Sequence, residues 1–212
     1  MLESVHIVGP QYSSFVRSVM LCCEEKGIHY SVGFNLRGKR IAFQGEEHLR
    51  LHPFGKVPMI LHGTRSLFET ASICRYLDDE FLGPKLQPSN IYSRALVDQW
   101  SSAISGYIYD ILAKDYLLEL SDSKRDAGEI DWNKVERSTP RVEKALTILH
   151  QQLANHSCLC GDDYTIADAL LTPLLDYLAK LPHADDLLSP FPELSAYLTR
   201  MRKRSSAKQV LI

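Results

Sequence analysis

His52-Pro-Phe-Gly-Lys-Val-Pro-Met-Ile-Leu-His62, with Phe68-Glu-Thr70 a few residues on, carries the turn chemistry from which the rest of the chain can be laid out. Pro58 stands directly before the apolar run Met59-Ile60-Leu61, so the chain enters a strand through a residue with no N–H to donate. His62-Gly63 or Gly63-Thr64 then turns it into a second short strand, Ser66-Leu67-Phe68. A cis Val57-Pro58 bond would bend the chain sharply and leave the N–H and C=O of Val57 at a strand edge, where an extended peptide can add as a further strand. Residues 71–81 read as a helix with Ile73, Leu77 and Phe81 on one face, and Thr70 is the expected N-cap. A carboxylate can bind the free N–H groups beside Thr70 while Glu69 accepts an ammonium, an arrangement suited to the zwitterionic head of a short peptide.

Upstream, Val5-His-Ile-Val8 is a β-prone run ended by Gly9-Pro10. Val16, Val19, Met20 and Cys23 then recur at helical spacing up to a Gly27 stop, and residues 30–34 offer a second strand. Residues 35–51 are polar, with a short helix expected at 46–50. The resulting order, β-α-β then β-β-α, is that of a thioredoxin-like domain, an assembly guided more by the family resemblance given below than by periodicity. Downstream, Gly83-Pro-Lys-Leu-Gln-Pro-Ser-Asn90 separates unlike halves, which gives an α/β part at 1–82, a linker at 83–92 and an all-α part at 93–212. A long helix is expected from 93 to about 120, with Trp100, Ile104, Tyr107, Ile108 and Ile111 on one face, followed by a mobile connection at 121–130. Val142, Ala145, Leu146, Leu149 and Leu153 mark another helix. Thr165 and Asp168 form a capping box ahead of a helix buried on nearly all sides, in which Pro173 predicts a kink. Leu194, Leu198 and Met201 mark a last helix whose basic end, 200–204, is expected to face solvent.

The 212 residues suffice for one large or two small domains, and 45% hydrophobic with 24% charged residues is ordinary for a soluble globular protein. A net charge of -2 gives no reason to expect nucleic acid or an anionic membrane as partner, and no apolar run approaches a membrane span. The start has neither the basic residues nor the apolar core of a signal peptide, so a cytoplasmic protein is expected. Five cysteines, two of them adjacent and none in a Cys-x-x-Cys, make a poor disulfide framework and argue against dithiol redox chemistry. Cys158-Leu-Cys160 lacks a second ligand pair, so no metal is expected. His48 and His52 are read as surface residues or loop contacts, because Pro53 ends any helix they share.

The ordered pair "HPFGKVPMI" and "FETASICRYL" resembles the glutathione-binding half of the cytosolic glutathione S-transferase family, and "GDDYTIADALL" is similar to that family's helical-domain signature. The resemblance covers essentially the whole chain and points to the serine-type, phi-like or bacterial branch. It implies conjugation of glutathione, as co-substrate, to small hydrophobic electrophiles in detoxification, with a hydroxyl at the first helix keeping the thiol anionic. Comparison with the phi-like pattern places Ser13 on the catalytic serine, with Tyr12 and Ser14 as competitors; the other role open to Ser13 is a plain helix N-cap. Ser18 stands where that pattern has arginine, a departure. No cysteine lies at this junction, which disfavours the branch that reduces mixed disulfides. By the same resemblance Val57, presented by Pro58, pairs with the cysteinyl part, Glu69 and Thr70 hold the γ-glutamyl head, and Lys56 reaches a carboxylate. Gln44 falls where the pattern has a lysine for the glycyl end. The acceptor is expected between the loop at Pro10 and the helix face at Tyr107 and Ile111. A homodimer is implied as well. The rival readings are a glutathione-binding or protein-interaction module without catalysis, and a glutathione-dependent peroxidase or isomerase.

Overall fold

The computed structural model describes residues 4–36 and 38–211. Residues 1–3, part of the start read above for a leader, lie outside the described residues. Strands β1 (Val5–Val8), β2 (Tyr30–Val32), β5 (Met59–His62) and β6 (Arg65–Phe68) form a mixed sheet in the order β2-β1-β5-β6. β1 runs parallel to β2 and antiparallel to β5, with Val8 opposite Met59, and β5 pairs β6 with Met59 opposite Phe68. Helices α1 (Ser14–Lys26), α2 (Glu46–Leu51) and α3 (Thr70–Glu80) complete a thioredoxin-like half. The polar segment after β2 holds a hairpin that the sequence did not announce, β3 (Asn35–Leu36) with β4 (Lys39–Arg40). Two residue pairs are too short a run to leave a periodic signal.

The rest is helical: α4 (Ile91–Ala103), α5 (Asp122–Ala127), α6 (Trp132–Leu153), α7 (Ile166–Leu178), α8 (Ala184–Leu188), α9 (Pro192–Arg202) and α10 (Ser205–Val210). α4 continues into two π-wound runs, Ile104–Ile108 and Asp110–Leu117. The expected mobile connection at 121–130 instead contains α5, closed by Gly128 in the left-handed region (φ 67°). The helix marked by Leu194, Leu198 and Met201 is not the last, since α10 follows it. Its basic end does not simply face solvent. Arg202 bonds Asp176 at 2.8 Å, and Arg204 forks onto Glu25 at 2.6 and 2.7 Å with its guanidinium 4.3 Å from the Tyr164 ring.

One large core runs through both halves. It joins Val5 and Ile7 of β1 and Val16 and Val19 of α1 to Leu171, Leu174 and Leu175 of α7. α7 is buried at every residue except Tyr177, and α1 packs along it. The capping box ahead of α7 is present: Asp168 accepts the Thr165 N–H at 2.8 Å, and also the Leu159 N–H at 2.8 Å and the Tyr197 hydroxyl at 3.0 Å. A smaller cluster of Val8, Leu36, Ile41 and Met59 covers the opposite side of the sheet.

A buried ion pair ties α1 to α3 and to the connection that follows. Lys26 and Asp78 are both fully buried and lie 3.0 Å apart; Asp78 also accepts from the Leu86 N–H at 2.9 Å and from the Gln87 amide at 3.1 Å. Burial raises the carboxyl pKa of Asp78, and the Leu86 N–H, the Lys26 ammonium and the Gln87 amide outweigh it, so the group sits below the usual carboxylate range.

Candidate active site

The site is built around the first turn of α1. Gly9 lies at φ 147°, and a Cβ there would come within 2.6 Å of Val16 Cγ2 and 3.1 Å of Val57 Cβ, so only glycine lets the loop pass between helix and strand entry. The loop then turns, with the Ser13 N–H donating to the Pro10 carbonyl at 3.0 Å. Ser13 is the N-cap of α1 (φ -68°, ψ 128°) but makes no side-chain capping bond, so its hydroxyl is not committed to its own helix. No acidic residue occupies the first turn, leaving the positive end of the helix unneutralised.

Across from this turn the Val57–Pro58 bond is cis, and Val57 precedes the strand pairing that begins at Met59. Glu69 is exposed and holds φ 72°, a left-handed value uncommon for a residue with a side chain. The expected cap of α3 is corrected by one position: Glu69 is the N-cap and Thr70, buried, is the first helical residue. Lys56 and Gln44 are exposed, and Gln44 also holds a left-handed φ, 60°, with its N–H donating to His48 Nδ1 at 3.1 Å. The reading of His48 and His52 as surface residues is overturned: they are 0% and 2% exposed. Both rings belong to an aromatic floor beneath the 44–56 loop, where His52 packs on Phe68 with centroids 4.7 Å apart. Burial lowers the His52 pKa, favouring the neutral form of that ring.

A cavity of about 800 Å³ opens between the halves. Pro10, Tyr12, Ser13, Ser14 and Val57 form one wall, so all three candidate hydroxyls border it. Tyr12, however, is 75% exposed, and Ser14 lies one residue inside the helix. The facing wall is apolar, with Tyr109, Ala113, Leu117, Leu118 and Leu181, and Phe34 and Phe43 close one side. Its charged rim is paired internally: Arg125 bonds Asp122, and Lys180 lies 2.9 Å from Asp176.

Tyr107 and Ile111 do not border this cavity. They line a separate groove of about 420 Å³ with Trp100, Ala103, Lys144 and Ile148, and Tyr107 is 78% exposed. The stripe of Trp100, Tyr107, Ile108 and Ile111 stays together but faces this groove, so Tyr109 and Ala113 of the adjoining face take the places assigned to Tyr107 and Ile111. Tyr109 stacks against Phe15 of α1 with centroids 4.4 Å apart, a contact between distant segments that no local pattern announces. Tyr177 and Leu181, contributed by α7 and the residues after it, were missed for the same reason.

Among the described residues no group of three or more His, Cys, Asp or Glu could hold a metal ion, and no helix is long and apolar enough to cross a membrane. All five cysteines are free. The arrangement offers a thiol-bearing peptide an exposed carboxylate for an ammonium, a positive helix end with an uncommitted hydroxyl for the sulfur, and an apolar chamber beside it.

Residues 12–80 match the family model described as glutathione S-transferase, N-terminal domain, and residues 110–205 match the one described as glutathione S-transferase, C-terminal domain. Glutathione S-transferase F12 of Arabidopsis thaliana is 27% identical over 210 residues, covering 98% of this chain and 97% of that one. The crystal structure of glutathione transferase F2 from Populus trichocarpa superposes with a TM-score of 0.85 at 27% identity, covering 98% and 97% of the two chains. A glutathione S-transferase-I bound with lactoylglutathione superposes with a TM-score of 0.84 at 25% identity, covering 98% and 99%.

Proposed function

Because the chain belongs to the glutathione S-transferase family, we propose that it conjugates glutathione to small hydrophobic electrophiles, with Ser13 donating a hydrogen bond to the glutathione thiolate. One observation carries the assignment to Ser13: its hydroxyl stands at the front of α1, on the cavity wall, with no capping bond to its own helix. A free thiol has a pKa of about 8.5, so a hydroxyl donor and a positive helix end favour the anion at neutral pH. The sulfur then supplies the electron pair for a new C–S bond while the acceptor's leaving group departs, or a carbanion formed by addition takes a proton from water. The apolar wall of Leu117, Leu118 and Leu181 receives the acceptor's hydrocarbon part.

In this reading Val57 pairs with the cysteinyl backbone, Glu69 and the N–H groups beside Thr70 hold the γ-glutamyl head, and Lys56 and Gln44 take the glycyl end. Exposure of Glu69, Lys56 and Gln44 supports it. The division into 1–82, a linker at 83–92 and 93–212 is part of the same proposal, supported by the last strand ending at Phe68 and α4 starting at Ile91. So is a homodimer, supported by the open groove beside Trp100 and Ile148. Detoxification in the cytoplasm belongs to the same proposal; the free cysteines support only its compartment, a reducing one.

The test pairs kinetics with a thiolate absorbance titration of bound glutathione. Ser13→Ala is expected to lower turnover about tenfold or more, raise the bound thiol's pKa and leave glutathione affinity nearly intact. Wild-type activity in that variant moves the role to Tyr12 or Ser14. Glutathione binding with an ordinary thiol pKa in the wild type identifies a binding module instead.

A further inference from the structure

Three carbonyls of the loop that delivers Ser13 are each held by a separate donor. The Pro10 carbonyl accepts the Ser13 N–H, the Gln11 carbonyl accepts Arg17 Nε at 3.0 Å, and the Tyr12 carbonyl accepts the Tyr177 hydroxyl. The last two donors touch each other, since the Arg17 guanidinium carbon lies 4.9 Å from the centre of the Tyr177 ring. Arg17 is buried on α1, whereas Tyr177 is near the end of α7 in the helical half, 165 residues from Tyr12. Tyr177 is also the one residue of α7 that is not buried, and it borders the cavity.

We infer that Tyr177, with Arg17 stacked against it, is a positioning latch through which the helical half fixes the Gln11–Tyr12 backbone and thereby aims the Ser13 hydroxyl. This rests on the assignment of Ser13 above. The physical case is geometric. A hydroxyl that must point at a sulfur is set by the φ and ψ of its own residue and of the peptide before it, and that peptide carries the Tyr12 carbonyl. Ser13 lacks the side-chain capping bond that would otherwise fix its rotamer, so the backbone carries the aim. Burial raises the pKa of Tyr177, with the Arg17 charge acting the other way, so its hydroxyl stays a donor across the working pH range. An acceptor lying against the Tyr177 ring would press on the same contact, joining the acceptor chamber to the thiol side.

The experiment is Tyr177→Phe, which keeps the ring over Arg17 and removes only the hydroxyl, with Arg17→Lys as a second variant that keeps the charge but loses the Nε donor. Hydrogen exchange of the peptide covering residues 9–14 is measured alongside the pH profile of kcat/KM. The latch predicts faster exchange in both variants, an alkaline shift of the profile, and a kcat about tenfold lower with the KM for glutathione unchanged, a fraction of what a full misplacement of the reacting group costs. Exchange at the wild-type rate overturns it. Faster exchange with an unshifted profile overturns it too, because the loop would then be held without being aimed, and so does an equal loss in kcat and glutathione affinity. If bound glutathione in the wild type titrates as an ordinary thiol, the assignment of Ser13 has failed, and the exchange rates alone then decide whether the latch holds the loop.

Discussion

The two walls of the cavity are made in different ways. The wall on the thioredoxin-like side is set largely by backbone: a glycine that must be glycine at position 9, a cis bond at Val57–Pro58 and an uncapped helix start at Ser13, with left-handed Gln44 and Glu69 beyond the cavity lining. The wall on the helical side is side chain: Tyr109, Leu117, Leu118 and Leu181, brought together by helix docking. Backbone geometry can demand one peptide in one pose, whereas a greasy wall tolerates many acceptors of similar size. Substitutions should therefore act on glutathione alone, on the acceptor alone, or on the joint between the walls.

The largest expected effect falls outside the cavity, on the buried pair that ties α1 to α3 and to the connection that follows. Asp78→Ala leaves Lys26 buried without its partner and frees the Leu86 and Gln87 donors, and we expect a loss of about 3–5 kcal/mol in urea unfolding. Its pH dependence has a definite sign. The folded-state pKa of Asp78 is depressed, so its contribution is complete above the unfolded carboxylate value of about 3.9 and fades as pH falls through the folded value. The wild type should lose that increment on acidification, and Asp78→Ala should not.

Next is Ser13→Ala, whose loss falls on turnover rather than on either substrate's affinity. Smaller and confined to the thioredoxin-like side, Glu69→Gln removes a charge while keeping the side-chain shape; it should raise the KM for glutathione about tenfold and leave kcat at saturation and the acceptor KM alone. The smallest effect belongs to the other wall. Leu117→Ala should raise the acceptor KM about fivefold with no change for glutathione, in initial-rate measurements that vary one substrate at a time. Should Leu117→Ala weaken glutathione as much as the acceptor, the contrast between the walls is wrong.

What could be read from the chain divides along the same line. The hairpin at Met59–His62 and Arg65–Phe68, the glycine stop at Gly27, and the Thr165–Asp168 capping box are each stated by a few adjacent residues. The cap of α3 was misplaced by one residue because Glu69 and Thr70 are both plausible at a boundary, and only the backbone angle of Glu69 separates them. The reading of His48 and His52 leaves surface and loop contact both open because histidine carries no reliable burial signal, and their aromatic neighbours Phe34, Phe43 and Phe68 come from other elements. α5 was missed because a charged six-residue helix has no apolar stripe to show.

By itself, then, the amino-acid order determined the succession of strands and helices, the two-part plan, and the short motifs that prepare a peptide-binding edge, because these depend on turn residues, caps and periodicity within a few positions of one another. Only the tertiary structure decided which face of the long helix looks into the cavity and which donor from α7 reaches the Ser13 loop. Those depend on how the helices dock, including the packing of α1 against α7, contacts between residues far apart in the chain whose geometry no local pattern encodes.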